Sequence, residues 1–80
     1  MDYKFKVGDR VRVIAIDDYD YYGIAQYEIR DIGTIIMCRP YRSGENKYEI
    51  DFDRLQGRTQ SDWWALEHWL EPVNPVMVFE

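Results

Sequence analysis

Polar and apolar positions alternate most cleanly over residues 47–53, KYEIDFD. Tyr48, Ile50 and Phe52 fall on one side and Lys47, Glu49, Asp51 and Asp53 on the other, which predicts a half-buried antiparallel strand with the first set inward. A second strand is predicted after the Gly8-Asp9 turn, where Val11 and Val13 alternate with Arg10 and Arg12. Ile14 and Ile16 then fall on the opposite face, so its far end is expected to be covered on both sides. Residues 17–32, DDYDYYGIAQYEIRDI, break the alternation and read as a long loop packed on its own side chains, with a weak helical signal near IAQYEI. Gly33 opens the β-rich run GTIIMCR, which Arg39-Pro40 ends, and YRSGEN is a hairpin turn. After the polar loop RLQGRTQS come a short strand in DWWAL, one helical turn in EHW and a last strand in LEPV, stopped by Pro72 and Pro75.

About five short strands with turn signals every 8–12 residues, and no long helical period, predict an all-β fold: a small antiparallel barrel or sandwich. Sequential antiparallel connections suffice to link the strands. The chain has 80 residues, enough for one domain. A chain of this size buries only roughly 60–65% of its unfolded surface. Three Trp, seven Tyr and three Phe offset the thin core. Residues 1–73 are assigned to the barrel. The tail 74–80, NPVMVFE, is apolar where a disordered tail is polar, so it is expected to dock on the barrel; pairing with another copy or a partner is the alternative.

The segments FKVGDRVRVI, GTII, YEIDFD, WW and LEPV together resemble the SH3-like barrels of small bacterial and phage proteins. The likeness covers roughly residues 5–73. It implies the fold and leaves the task open, since SH3-like barrels host many functions. DYDYYG and DWWAL are also similar to the tyrosine-acid loop and paired tryptophans of eukaryotic signalling SH3 domains. There the tyrosine motif precedes the Gly-Asp strand, whereas here it follows, so binding of proline-rich peptides is not carried over.

Charge narrows the partners. Fifteen acidic and ten basic residues give −5. Residues 1–16 carry four bases and two acids, residues 17–32 five acids and Arg30, and residues 62–80 four acids and no base. Nucleic acid and anionic membrane surfaces are therefore disfavoured. Cys38 is the lone cysteine, so no intrachain disulfide forms and a reducing, cytoplasmic setting is expected, with Cys38 packing as a small hydrophobe. No apolar run of membrane-spanning length and no secretory signal are read.

Adjacent strand residues face opposite ways, so Trp63 and Trp64 divide between the two faces. Trp64 and Leu66 are expected inside, Trp63 on the outer surface and Trp69 as a plug at one end of the barrel, with Leu70 and Val73 completing the core. Tyr19, Tyr21, Tyr22 and Tyr27 lie in or beside the acidic loop, with Tyr41 at the next turn. Trp63, Tyr19, Tyr21, Tyr22, Tyr41, Asp18 and Asp20 form the candidate face for a partner carrying Arg or Lys, through ion pairs and cation–π contacts. Self-packing of the loop is the competing reading.

Asp17, Asp18 and Asp20 lack the spacing of a calcium loop. One His and one Cys are too few for a structural zinc site, so neither a metal nor a cofactor is expected. Cys38 and His68 have no orienting third group and no cleft, so no catalysis is expected. The leading function is a protein-interaction module. The alternatives are nucleic-acid or ribosome association, with Arg10, Arg12, Arg39, Arg42, Arg54 and Arg58 gathered on one side; an acidic inhibitor of phage type that occupies a basic groove on a nucleic-acid enzyme; and a subunit that dimerises through residues 74–80.

Overall fold

The computed structural model describes residues 3–17, 27–41, 44–55 and 63–73. Five antiparallel strands form one sheet: β1 Arg10–Val13, β2 Ile32–Pro40, β3 Asn46–Phe52, β4 Trp64–Leu66 and β5 Leu70–Pro72. Their order is β4-β3-β2-β1-β5. Short 3-10 turns at Asp53–Leu55 and Glu67–Trp69 follow β3 and β4. The fold is all-β, as expected, and consistent with a small SH3-like barrel, except that the sheet is not closed and the last connection is not sequential: β5 pairs with β1, so that β4 and β5 end the sheet on opposite sides. Both end strands are only three residues long, and Pro72 lacks an N–H, so little unpaired edge is presented.

β3 has the inward face that its alternation predicts. Tyr48, Ile50 and Phe52 are buried, while Asp51 is exposed and Lys47 and Glu49 are half-buried. Val11, Val13 and Ile35 meet them from β1 and β2. Burying each large apolar side chain contributes roughly 1.5–3 kcal/mol, which makes this layer the main source of stability. Ile14 is exposed, whereas Ala15 and Ile16 pack partly against the core, so the far end of this strand is covered more thinly than expected.

A bulge in β2 explains two apolar residues on the outside. The register slips between Ile35, opposite Ile50, and Met37, opposite Glu49. Ile36 is the extra residue, and both Ile36 and Met37 are exposed. Gly33 shows the opposite extreme, close approach. A Cβ there would stand 2.6 Å from the Asp51 carbonyl oxygen and 2.9 Å from the Phe52 Cα.

The tryptophan pair is oriented opposite to expectation. Trp63 is 4% exposed and Ala65 is fully buried, whereas Trp64 is half-buried. The pairing along the strand was read correctly and its sense was not. Counting apolar area favours Trp64 and Leu66 inward, but register decides: Ala65 stands opposite Tyr48, and its small side chain leaves room for that ring. Leu66 is nevertheless buried, as expected. Val73 is half-buried and does not complete the core; Leu70 does. Trp69 is fully buried and belongs to the core cluster.

Tyr27 belongs to the core. It stacks on Phe52 at 4.4 Å between ring centroids, and its hydroxyl donates to the Trp64 carbonyl oxygen at 2.7 Å. Residues 27–31 make a turn, with the Asp31 N–H bonded to the Glu28 carbonyl, so no helix runs through Tyr27–Ile29. The rest of the acidic loop, residues 18–26, and the tail 74–80 lie outside the described residues.

Candidate functional site

Three elements bring polar and aromatic groups to one end of the sheet. The β2–β3 hairpin is closed by the Tyr41 N–H on the Glu45 carbonyl at 2.7 Å, which sets Tyr41 and Glu45 side by side. The 3-10 turn Glu67–Trp69 supplies His68 and Trp69. The segment that leaves β1 supplies Asp17, and the Ile14 N–H bonded to the Trp69 carbonyl fixes its approach.

The aromatic part is a row of rings. Tyr41 lies 5.4 Å from Trp64, and Trp64 stacks on Trp69 at 5.8 Å with 17° between the planes. Trp64 stands opposite Glu49 in the register, hence on the outer side of the sheet. The Lys47 ammonium lies 4.9 Å from the Trp64 centroid and 5.6 Å from that of Tyr41, within cation–π range of both.

The charged part is centred on His68. Its Nε2 meets Asp17 Oδ2 at 2.6 Å, and its Nδ1 meets Glu45 Oε2. The other Asp17 oxygen accepts from the Trp69 indole N–H at 2.5 Å. Glu45, and after it Asp17, raises the His68 pKa by favouring the cation. His68 in turn holds the Asp17 carboxyl below the usual carboxylate range.

Glu67 ties the same turn to the N-terminal segment. It accepts from the Tyr48 hydroxyl at 2.5 Å, from Asn46 Nδ2 at 3.0 Å and from the Lys4 N–H at 3.3 Å. Burial, and then the bond to Glu67, pushes the Tyr48 hydroxyl up to about 12. Burial would push Glu67 up as well, but the bonds from Tyr48 and Asn46 more than offset it and leave it lowered.

Of the residues expected on the partner face, Tyr41 is brought to this site and Trp63 is not, because Trp63 lies in the core. Tyr19, Tyr21, Tyr22, Asp18 and Asp20 lie outside the described residues. Sequence reasoning missed Trp64, Lys47, Glu45 and His68. The outward phase of Lys47 on β3 was the available signal: it marks which β4 ring a cation can cover once the register is known.

The arginines do not form an open patch among the described residues. Arg10 is paired with Asp53, Arg12 with Glu71, Arg39 with Glu49 and Arg54 with Asp31. Arg42 and Arg58 lie outside the described residues. No group of three or more metal-ligating side chains is found among the described residues, and no helix there is long and apolar enough to cross a membrane. Comparison with family models, curated proteins and solved structures returns no match.

Proposed function

We propose that this chain is a non-enzymatic binding module that holds a protein partner at the end of the sheet built by Tyr41, Trp64, Glu45, Asp17 and His68. The observation that carries the reading is the position of Trp64. A large ring stands half-buried on the outer side of an end strand, braced by Tyr41 and Trp69 and topped by Lys47. A ring already fixed in one orientation loses little entropy when a partner covers it, which is why tryptophan and tyrosine dominate binding hot spots. Acidic residues 18 and 20, and the net −5 of the chain, suit a partner that presents Arg or Lys.

Arginine pairing supports this reading over nucleic-acid or ribosome association. Four of the six arginines that such a surface needs are already engaged by the chain's own carboxylates. The same pairs weigh against an acidic inhibitor, since Asp31, Glu49, Asp53 and Glu71 are neutralised in turn.

Affinity capture from the source cells with the intact chain, Trp64→Ala and Tyr41→Ala tests the proposal. The partner retained by the intact chain is expected to be lost with Trp64→Ala while circular dichroism stays unchanged. Equal capture by all three would refute the assigned face. A gel shift with DNA or RNA at low salt that fades steeply as salt rises would favour the nucleic-acid alternative.

A further inference from the structure

We propose that His68 is a pH-operated clasp that ties the stem of the acidic loop, at Asp17, to the β2–β3 hairpin, at Glu45. The argument is one of donors. Both imidazole nitrogens face carboxylate oxygens, Nε2 toward Asp17 and Nδ1 toward Glu45. A neutral imidazole has one N–H and one lone pair, so it satisfies one carboxylate and turns a lone pair toward the other. Only the imidazolium donates to both. The imidazolium therefore satisfies both contacts at once, and loss of its proton breaks one of the two links.

Three features make the clasp responsive. His68 is half-exposed, so its proton exchanges with solvent at ordinary rates. The groups facing it are acidic: Glu45 from the hairpin and Asp17 from the segment after β1. On its own turn, Glu67 is directed away, toward Tyr48 and Asn46. The described cation nearest the ring row, Lys47, lies over Trp64 and Tyr41. Asp17 also links the clasp to the interior, since its second oxygen holds the fully buried Trp69 through the indole N–H. The His68 ring lies edge-on to Trp69 at 6.3 Å, so a change at His68 is felt at that indole.

The sign follows from the raised pKa of His68 in the folded chain. The stabilisation is complete below the ordinary imidazole value of about 6.5 and is lost as pH rises through the higher folded value. The clasp is thus closed in mildly acidic solution and opens toward alkaline pH. It does not depend on the binding role proposed above.

Proton NMR of the full chain, titrated across the neutral range, tests the clasp. The His68 ring protons are expected to titrate with a midpoint above that of a free imidazole, and the Trp69 indole N–H resonance to move with the same midpoint. Asp17→Asn and Glu45→Gln should each bring the His68 midpoint down toward the free value. Asp17→Asn should also reduce the coupled movement of Trp69 to the part that the His68 ring contact transmits directly. His68→Gln should leave Trp69 insensitive to pH over this range while the other core resonances stay in place. An ordinary His68 midpoint that neither carboxylate variant changes would overturn the proposal, as would a Trp69 indole resonance that stays fixed while His68 titrates.

Discussion

The interior beneath β3 and the end of the sheet around Glu67–Trp69 both bury aromatic rings, by different means. Beneath β3 the rings of Phe52, Trp63 and Tyr27 pack in the apolar core, with the Tyr27 hydroxyl on a backbone carbonyl and no charged group on any of the bonds shown. At the end of the sheet Trp69 is equally buried, yet it is fixed by a carboxylate on its indole, which is itself held by a half-exposed histidine. The first arrangement depends on shape and area, the second on charge state. Solvent conditions that leave the first unchanged can therefore act on the second, and that division separates what folds this chain from what can be adjusted in it.

The neighbouring tryptophans give the largest test of the division. Trp63→Ala removes a ring from the interior and should cost roughly 3–5 kcal/mol, as for large-to-small core changes. That is a large share of the stability of a domain whose total is of order 5–15 kcal/mol. Trp64→Ala keeps part of its cost in solvent and should lose roughly 1–3 kcal/mol. Urea denaturation of the two variants reads the difference directly. Equal losses would show that the two faces of β4 are equally part of the core.

Gly33→Ala sharpens the same contrast from the backbone side. The added methyl would meet the Asp51 carbonyl, the Phe52 Cα and the Ile50 side chain, all under 3 Å. Two of these are backbone atoms of β3 that cannot swing aside. Separation of β2 from β3 is expected, at a cost of roughly 1–3 kcal/mol, the range for overpacked sites. An unshifted urea midpoint would place the β2–β3 contact among the adaptable parts of the sheet.

Legibility in the sequence follows the same boundary. Tyr48, Ile50, Phe52, Val11 and Val13 were readable because the period of a strand fixes which side chains share a face. Trp63 and Trp64 were assigned to opposite faces for that reason, but the sense of a five-residue segment depends on its partner strand. Here the Tyr48–Ala65 register settles it, and no local signal carries a register. The bulge at Ile36 was hidden in the same way, because GTIIMCR reads as one continuous β-rich run. The candidate site was less legible still. Asp17, Glu45 and His68 are separated by tens of residues and meet only because the hairpin and the 3-10 turn end on the same side. Tyr41 was found because a tyrosine at a turn needs no register to be placed near the surface.

Tyr48→Phe probes the seam between the two regions. The ring stays in the interior, but the hydroxyl that donates to Glu67 and accepts from the Lys4 and Phe5 N–H groups is lost. A cost of roughly 1–2 kcal/mol is expected for a hydrogen-bond group whose partners remain. The pH dependence should change too. Glu67 has a lowered pKa in the folded chain, so its stabilising effect is present above the ordinary carboxylate range and fades as pH falls through the folded value. Without the Tyr48 bond that acid-side loss should be shallower. An unaltered slope in urea melts between pH 5 and pH 3, two values chosen to bracket ordinary carboxylates near 4, would remove Tyr48 as the origin of the shift.

The smallest effect is expected where charge acts without burial. Arg12 bonds Glu71 at 2.7 Å across β1 and β5, and both side chains are more than a third exposed. Water screens such a pair and its side-chain entropy opposes it, so Arg12→Ala should change stability by about 1 kcal/mol or less. The histidine clasp uses the same kind of contact, a short bond between exposed charged groups, yet one of its carboxylates reaches a buried indole. If Arg12→Ala proves nearly silent while Asp17→Asn moves both the His68 titration and the Trp69 resonance, the distinction lies in what the charge is connected to, since the ion pairs themselves are alike in length and exposure.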